Sequence, residues 1–260
     1  VKRLLAIAVA VACVALAGAA EAAFMAEAAF IKVGNLELTA DGSFTPRRLP
    51  RKAYAPIDFK GWADVKAVDG GVPEPLKQVV LDFDHDGRIG THGLPVCNPA
   101  LLEEATPEEA RSRCRDAIVG TGHIEVLIAG IAGGAPIPAA SLLTLFNGPP
   151  QEGRPTVILH ARTTVPGVQN FVVTIPIKRR RGDFRYRATV DVPPIAAGRG
   201  AITHVDVDVG RRYRFGGKKR SYVSARCSDG ILNTHGRFTF TAEPYDTVVD
   251  GSVEKPCTPL

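Results

Sequence analysis

The residues best spaced for chemistry are the alternate carboxylates of Leu81-Asp82-Phe83-Asp84-His85-Asp86-Gly87-Arg88-Ile89. Asp82, Asp84 and Asp86 followed by Gly87 match the opening of a calcium loop, in which every second carboxylate converges on a hard cation and glycine permits the sharp turn. Ile89 falls where such loops carry an apolar residue. The match then breaks: Gly93 stands where a final bidentate glutamate is required, and the preceding residues alternate as a strand does. The competing reading is a strand ending in a tight His85-Asp86-Gly87 turn whose glycine supplies a positive φ. Any calcium bound here is expected to be weak, in the range of extracellular modules. His85 and His92 are near enough in sequence to join the aspartates around a transition metal, whereas His123, His160, His204 and His235 are scattered.

Cysteine is the second reactive residue type. Lys2-Arg3, the apolar run from Leu4 to Leu16 and the small residues from Ala17 to Ala22 form the three zones of a secretory signal peptide, with cleavage expected after Ala19 or Ala22. An uncleaved anchor and a lipidated Cys13 are the alternatives, but the run is short for a hydrocarbon core of about 30 Å. No later stretch is apolar enough to span a membrane. Loss of residues 1–22 leaves Cys97, Cys114, Cys227 and Cys257. An even count in an exported chain favours two disulfides, and short loops favour Cys97–Cys114 and Cys227–Cys257. Zinc would need a C-x-x-C knuckle or H-E-x-x-H, and neither is present.

Nucleophilic and nucleotide chemistry find little support. There is no G-x-S-x-G elbow, and Gly120-Thr121-Gly122-His123 is neither a dinucleotide fingerprint nor a P-loop. Loss of residues 1–22 removes Lys2, Arg3 and Glu21 and takes the net charge from +5 to +4, too mild to imply nucleic-acid binding. The charge is unevenly spread, with thirteen Lys or Arg against four Asp between Lys178 and Arg220. Lys178, Arg179, Arg180 and Arg181, and then Arg211, Arg212, Lys218, Lys219 and Arg220, flank adjacent strands and can present a positive field to an anionic envelope polymer or glycan. The alternative is that they serve as solvated turns that blunt sheet edges.

The elements that must position these groups are mostly strands. Thr106-Pro107-Glu108-Glu109 is a capping box, and it predicts a helix from Pro107 to about Asp116, with Asn98-Pro99 adding a weaker turn before it. Closing the Cys97–Cys114 loop over that helix is worth about 3 kcal/mol in the chain-entropy model. From Ala55 onward, short alternating runs are punctuated by Gly and Pro. The fold class expected is therefore mainly β, an antiparallel sandwich of jelly-roll type with one short helix and two disulfide staples. Residues 23–53 read as a tail or linker with at most one strand, and residues 54–260 as one domain. In Phe184–Val192 and Ala201–Val209 the apolar residues alternate with polar ones. A hairpin of these two runs would place Arg187 opposite Asp206, and a crossover between sheets is the rival arrangement.

Gly93-Leu94-Pro95-x-Cys97, Cys114-Arg115-x-Ala117-x-Val119-Gly120-x-Gly122, Phe146-Asn147-Gly148, Ala225-Arg226-Cys227 and Pro256-Cys257 together span most of the chain after the leader. As a set they resemble uncharacterised exported proteins of high-GC Gram-positive bacteria. The resemblance implies export and a disulfide-bridged β domain, and it brings no activity or catalytic residues with it. The function expected is a non-catalytic binding or structural module of the cell envelope. A secreted hydrolase of envelope glycan or lipid is the alternative.

Overall fold

The computed structural model describes residues 28–260. The leader, Cys13 and the expected cleavage sites lie outside the described residues. Twelve strands form one large sheet: β1 (Ala29–Val33), β2 (Leu36–Thr45), β3 (Asp58–Ala67), β4 (Leu76–Asp84), β5 (Ile118–Ile128), β6 (Ile137–Gln151), β7 (Arg154–Thr163), β8 (Gln169–Arg179), β9 (Phe184–Asp191), β10 (Gly200–Val209), β11 (Ile231–Phe240) and β12 (Thr247–Pro256). Their spatial order is β1-β2-β3-β10-β5-β6-β7-β8-β9-β4-β11-β12, and every pairing is antiparallel.

This mainly antiparallel architecture agrees with the expected class, with the facing walls belonging to one sheet that coils until its edges meet. No ladder joins β1 to β12. Side chains close the seam instead: Leu36, Leu38 and Val65 pack with Phe240 and Val249, and Lys255 Nζ lies 2.6 Å from Asp41 Oδ1. At Gly251 an added Cβ would come within 2.7 Å of Ile31 Cδ1, so glycine lets β12 approach β1.

Alternation decides which face turns in. Tyr186, Ala188 and Val190 of β9 and Val205, Val207 and Val209 of β10 line the interior, while Arg187, His204, Asp206 and Asp208 point outward. An apolar inside with a polar outside is the reverse of a lipid-embedded barrel. The β9–β10 hairpin does not form. β9 lies between β8 and β4, and β10 lies between β3 and β5, so Arg187 meets Asp82 instead of Asp206. Asp191 and Gly200 are separated by a connection long enough to cross the barrel mouth, and Ile195 within it packs on Val126, Ile128 and Ile202.

The two ends differ. Short turns and that crossover occupy one end, whereas the long segments 46–57, 85–117 and 210–230 gather at the other, beside the β6–β7 and β8–β9 turns, and cap it. Helix α1 (Pro107–Arg113) starts at the expected capping box, with Glu109 N–H donating to Thr106 Oγ1 and Thr106 N–H to Glu109 Oε2. It is shorter than expected, because residues Arg115–Ala117 tighten into a 3-10 turn. It covers Phe146 and Ile158 on the outer face of β6 and β7, together with the Cys97–Cys114 bridge. His160 is buried there and its Nε2 contacts Ala105 O at 3.2 Å; burial pushes its pKa down, so the ring is neutral. The Cys227–Cys257 bridge packs with Phe44, Leu49, Ile57 and Ala225 and ties the chain end to the cap.

One organisational expectation changes. The segment read as a tail supplies β1 and β2, and Leu49 within its basic run is buried. Leu36, Leu38 and Phe44 face the core, but the intervening Ala-Asp-Gly-Ser has weak strand propensity and masks the period.

Candidate functional site

Eight strands close a barrel just wide enough for side chains to fill or for one small ligand. Twelve strands make a wider one, and here small residues widen it further: Gly42, Gly61, Ala63, Ala139, Ala161, Ala188, Gly236 and Gly251 all line the interior. The result is a chamber of about 480 Å³ that runs from Ile128 and Ile195 at one end to Tyr222 and Gly87–Ile89 at the capped end. Its walls are almost entirely aliphatic and aromatic, with Leu81, Phe83, Val173, Leu159 and Val207 only partly covered by neighbours. Of the polar side chains on the wall, Ser141 Oγ donates to Arg162 O, Thr163 Oγ1 to Val165 O, and Lys255 pairs with Asp41, whereas the buried Tyr222 hydroxyl and Asn233 Oδ1 have no hydrogen-bond partner among the described residues. Tyr222 and Leu94 form the floor with Val119, Val157 and Ile177, and burial pushes the Tyr222 hydroxyl well above its usual range.

The aspartates of the calcium-like stretch stand at this floor without converging on one point. Asp82 faces outward and takes two bonds from Arg187, Nε to Oδ1 at 2.8 Å and Nη2 to Oδ2 at 2.5 Å. The Arg187 hydrogen bonds hold its carboxyl below the ordinary range against the opposing effect of burial. Asp84, His85 and Asp86 do come together, their ligand-capable atoms within 4.8 Å of one another. The oxygens already have partners, however. Asp84 accepts from the amides of Asp86 (2.7 Å) and Asn233 (2.8 Å), and Asp86 accepts from Arg226 Nε (2.6 Å) and the Ser228 amide (2.7 Å). Burial raises the Asp84 carboxyl, whereas at Asp86 burial is outweighed by the bonds from Ser228 and Arg226 and the net shift is downward. A guanidinium sits where a cation would have to, and Asp82 is committed elsewhere, so these residues fit a clamped turn better than a calcium loop. Gly87 does not adopt a positive φ, and the chain leaves the turn to pair Gly87–Ile89 with Val223–Ala225 rather than folding back on β4.

A hydroxyl–imidazole pair exists at the same turn. Ser228 Oγ lies 3.4 Å from His85 Nε2, and His85 Nδ1 lies 3.2 Å from Asp84 Oδ1. Asp84 Oδ1 is taken by the shorter bond from Asp86 N–H, and Asp86 holds the Ser228 hydroxyl and amide. The group therefore ties the loop together, with Asp86 bridging the Ser228 hydroxyl and amide.

The two basic runs are brought to the same end. Lys178 to Arg181 end β8 and begin its turn into β9, while Arg211 to Arg220 lie on a hairpin of Arg212–Phe215 with Lys218–Ser221, both on the capped side. That hairpin docks through Phe215 onto Gly93, where φ is +77° and an added Cβ would lie 2.1 Å from the ring. Arg212 pairs with Asp58 at 2.7 Å, and Arg220 lies over the Phe215 ring. Sequence reasoning missed Tyr54, Arg88, Arg185 and Arg226, which meet beside the floor. They come from four separate segments, and only Tyr54, the one aromatic in the segment 46–57, hints at them.

Compared with known protein families, curated proteins and solved structures, the chain matches none. Among the described residues no helix is long and apolar enough to cross a membrane.

Proposed function

We propose that this chain is an exported, non-catalytic binding protein of the cell envelope that holds an apolar small molecule inside its barrel. The chamber of about 480 Å³ carries the reading. Its size falls within the roughly 300–1,000 Å³ of small-molecule pockets. Apolar walls exclude water, because water needs two or more polar partners to enter. A dry void at about 24 cal/mol per Å³ would cost on the order of 10 kcal/mol, comparable with the whole stability of a domain. An apolar ligand recovers those contacts. Export is supported by two disulfides, which persist in oxidising compartments. The basic capped end suits an anionic envelope polymer, and replacing Arg179, Arg180 and Arg181 with Gln should abolish retention on such a polymer at low salt.

The neutral fluorophore N-phenyl-1-naphthylamine tests the chamber. Saturable one-to-one binding to protein stripped of lipid, displaced by dodecanol, is expected. Fluorescence that rises without saturation, or that dodecanol leaves unchanged, overturns the reading.

A further inference from the structure

The chamber is apolar along its length, but its capped end meets a group of cations. Arg88, Arg185 and Arg226 each place a guanidinium carbon over the Tyr54 ring, 5.4, 5.4 and 5.6 Å from its centroid. Three guanidinium groups around one ring repel one another, and the ring quadrupole offsets only part of that repulsion. Arg226 is neutralised by Asp86 at 2.6 Å. Arg88 and Arg185 have no carboxylate partner among the described residues. The acids of the clamped turn are occupied, Asp84 by the two amides and Asp86 by Arg226 and Ser228.

Arg88 also belongs to the chamber wall, together with its neighbours Gly87 and Ile89 and with Asn233. Apolar space and unneutralised cations therefore adjoin at one residue. The geometry points to an anionic amphiphile as the ligand: a hydrocarbon chain in the barrel, with a phosphate or carboxylate held by Arg88 and Arg185 beside Tyr54. The planar guanidinium fork suits both head groups, and pairing at the chamber edge spares the anion from burial in hydrocarbon. The scaffold is rigid where it matters. Arg88 sits opposite Ser224 in a short sheet, Arg185 lies within β9, and Arg226 is fixed to the clamped turn. This inference rests on the proposed apolar chamber and names the chemistry of its occupant.

Displacement of N-phenyl-1-naphthylamine by dodecyl phosphate, dodecanol and inorganic phosphate separates the possibilities, each chain being used below its micelle concentration. For the native sequence, dodecyl phosphate should displace the probe at a concentration about tenfold lower than dodecanol. In the Arg88→Gln/Arg185→Gln variant that advantage should fall to about threefold or less, with dodecanol unchanged. Arg181→Gln, on the same basic end but away from the ring, should keep the advantage. Equal displacement by the two chains in the native protein would overturn the head-group site while leaving the chamber intact. An equal loss in Arg181→Gln would reduce the effect to a general field and overturn it too. Arginine-dependent binding of inorganic phosphate without chain binding would make this a free-anion site. Failure of both chains to displace the probe would remove the chamber reading itself. Thermal melts confirm that each variant is folded.

Discussion

Val207→Phe asks whether the barrel interior is open space. Val207 lines the chamber and stands in register between Gly61 and Gly122, so neither residue paired with it carries a side chain, and only the Phe59 ring, which lies over Gly61, borders it from β3. Phenylalanine adds four carbons, worth up to about 3 kcal/mol at about 0.8 kcal/mol per buried methylene. The same exchange in a filled core overpacks it and costs about 1–3 kcal/mol. The two cases thus differ in sign. Guanidinium unfolding of lipid-stripped protein should show a higher midpoint with an unchanged slope, and thermal melting should rise by several degrees. Val119→Phe is the control, because Val119 is buried among Leu94, Val157 and Tyr222 and should lose stability. A lowered midpoint for Val207→Phe at constant slope would refute the reasoning, since it would mean that the walls have collapsed onto one another. If the midpoint rises, affinity for N-phenyl-1-naphthylamine should fall in the same variant, because probe and side chain compete for one volume.

Asp82→Asn should cost about 1.5–3 kcal/mol, the range for hydrogen bonds to charged groups, tempered by the partial exposure of Arg187. Because the folded Asp82 pKa is lowered by Arg187, its contribution is present above the unfolded value near 4 and is lost as pH falls through the folded one. The stability gap to Asp82→Asn should therefore close as the carboxyl protonates in acid, and a gap that stays constant across the whole acid range would contradict this. His204 has the opposite sign: its hydrogen bond to Asp64, with Glu125 and Asp206 nearby, raises its pKa. Its contribution is complete below about pH 6.5 and is lost as pH rises through the folded value, so wild type and His204→Gln should converge in alkali. For calcium, a millimolar site at about 10 mM ion would stabilise by about 1.4 kcal/mol. Superimposable melts with ion and with chelator are expected from the committed oxygens of Asp84 and Asp86, and a rise of several degrees would reinstate the site.

Much of the local architecture was legible because its causes are local. Thr106 and Glu109 lie within one turn, so their capping box could be read directly and forms as read. Both disulfides join the cysteines nearest in sequence, as short loop closure favours. Readings that depended on partners far along the chain fared worse. The Asp82, Asp84 and Asp86 pattern could not reveal that Arg187, Asn233 and Arg226 would reach those carboxylates first. Nor could the alternation of β9 and β10 show that each would pair with other strands.

Period-two patterning, the capping box and cysteine spacing thus determine from the sequence alone a disulfide-stapled, mainly antiparallel β protein with one capped helix. The tertiary structure alone decides that twelve strands share one sheet, that its edges meet at Gly251 and Ile31, and that the interior is left open. The reason is geometric. Alternation states which side of a strand is apolar, but the circumference that those sides enclose depends on how many strands join before closure. That number is set by pairings between residues far apart in the chain, which also bring Arg88, Arg185 and Arg226 to one tyrosine.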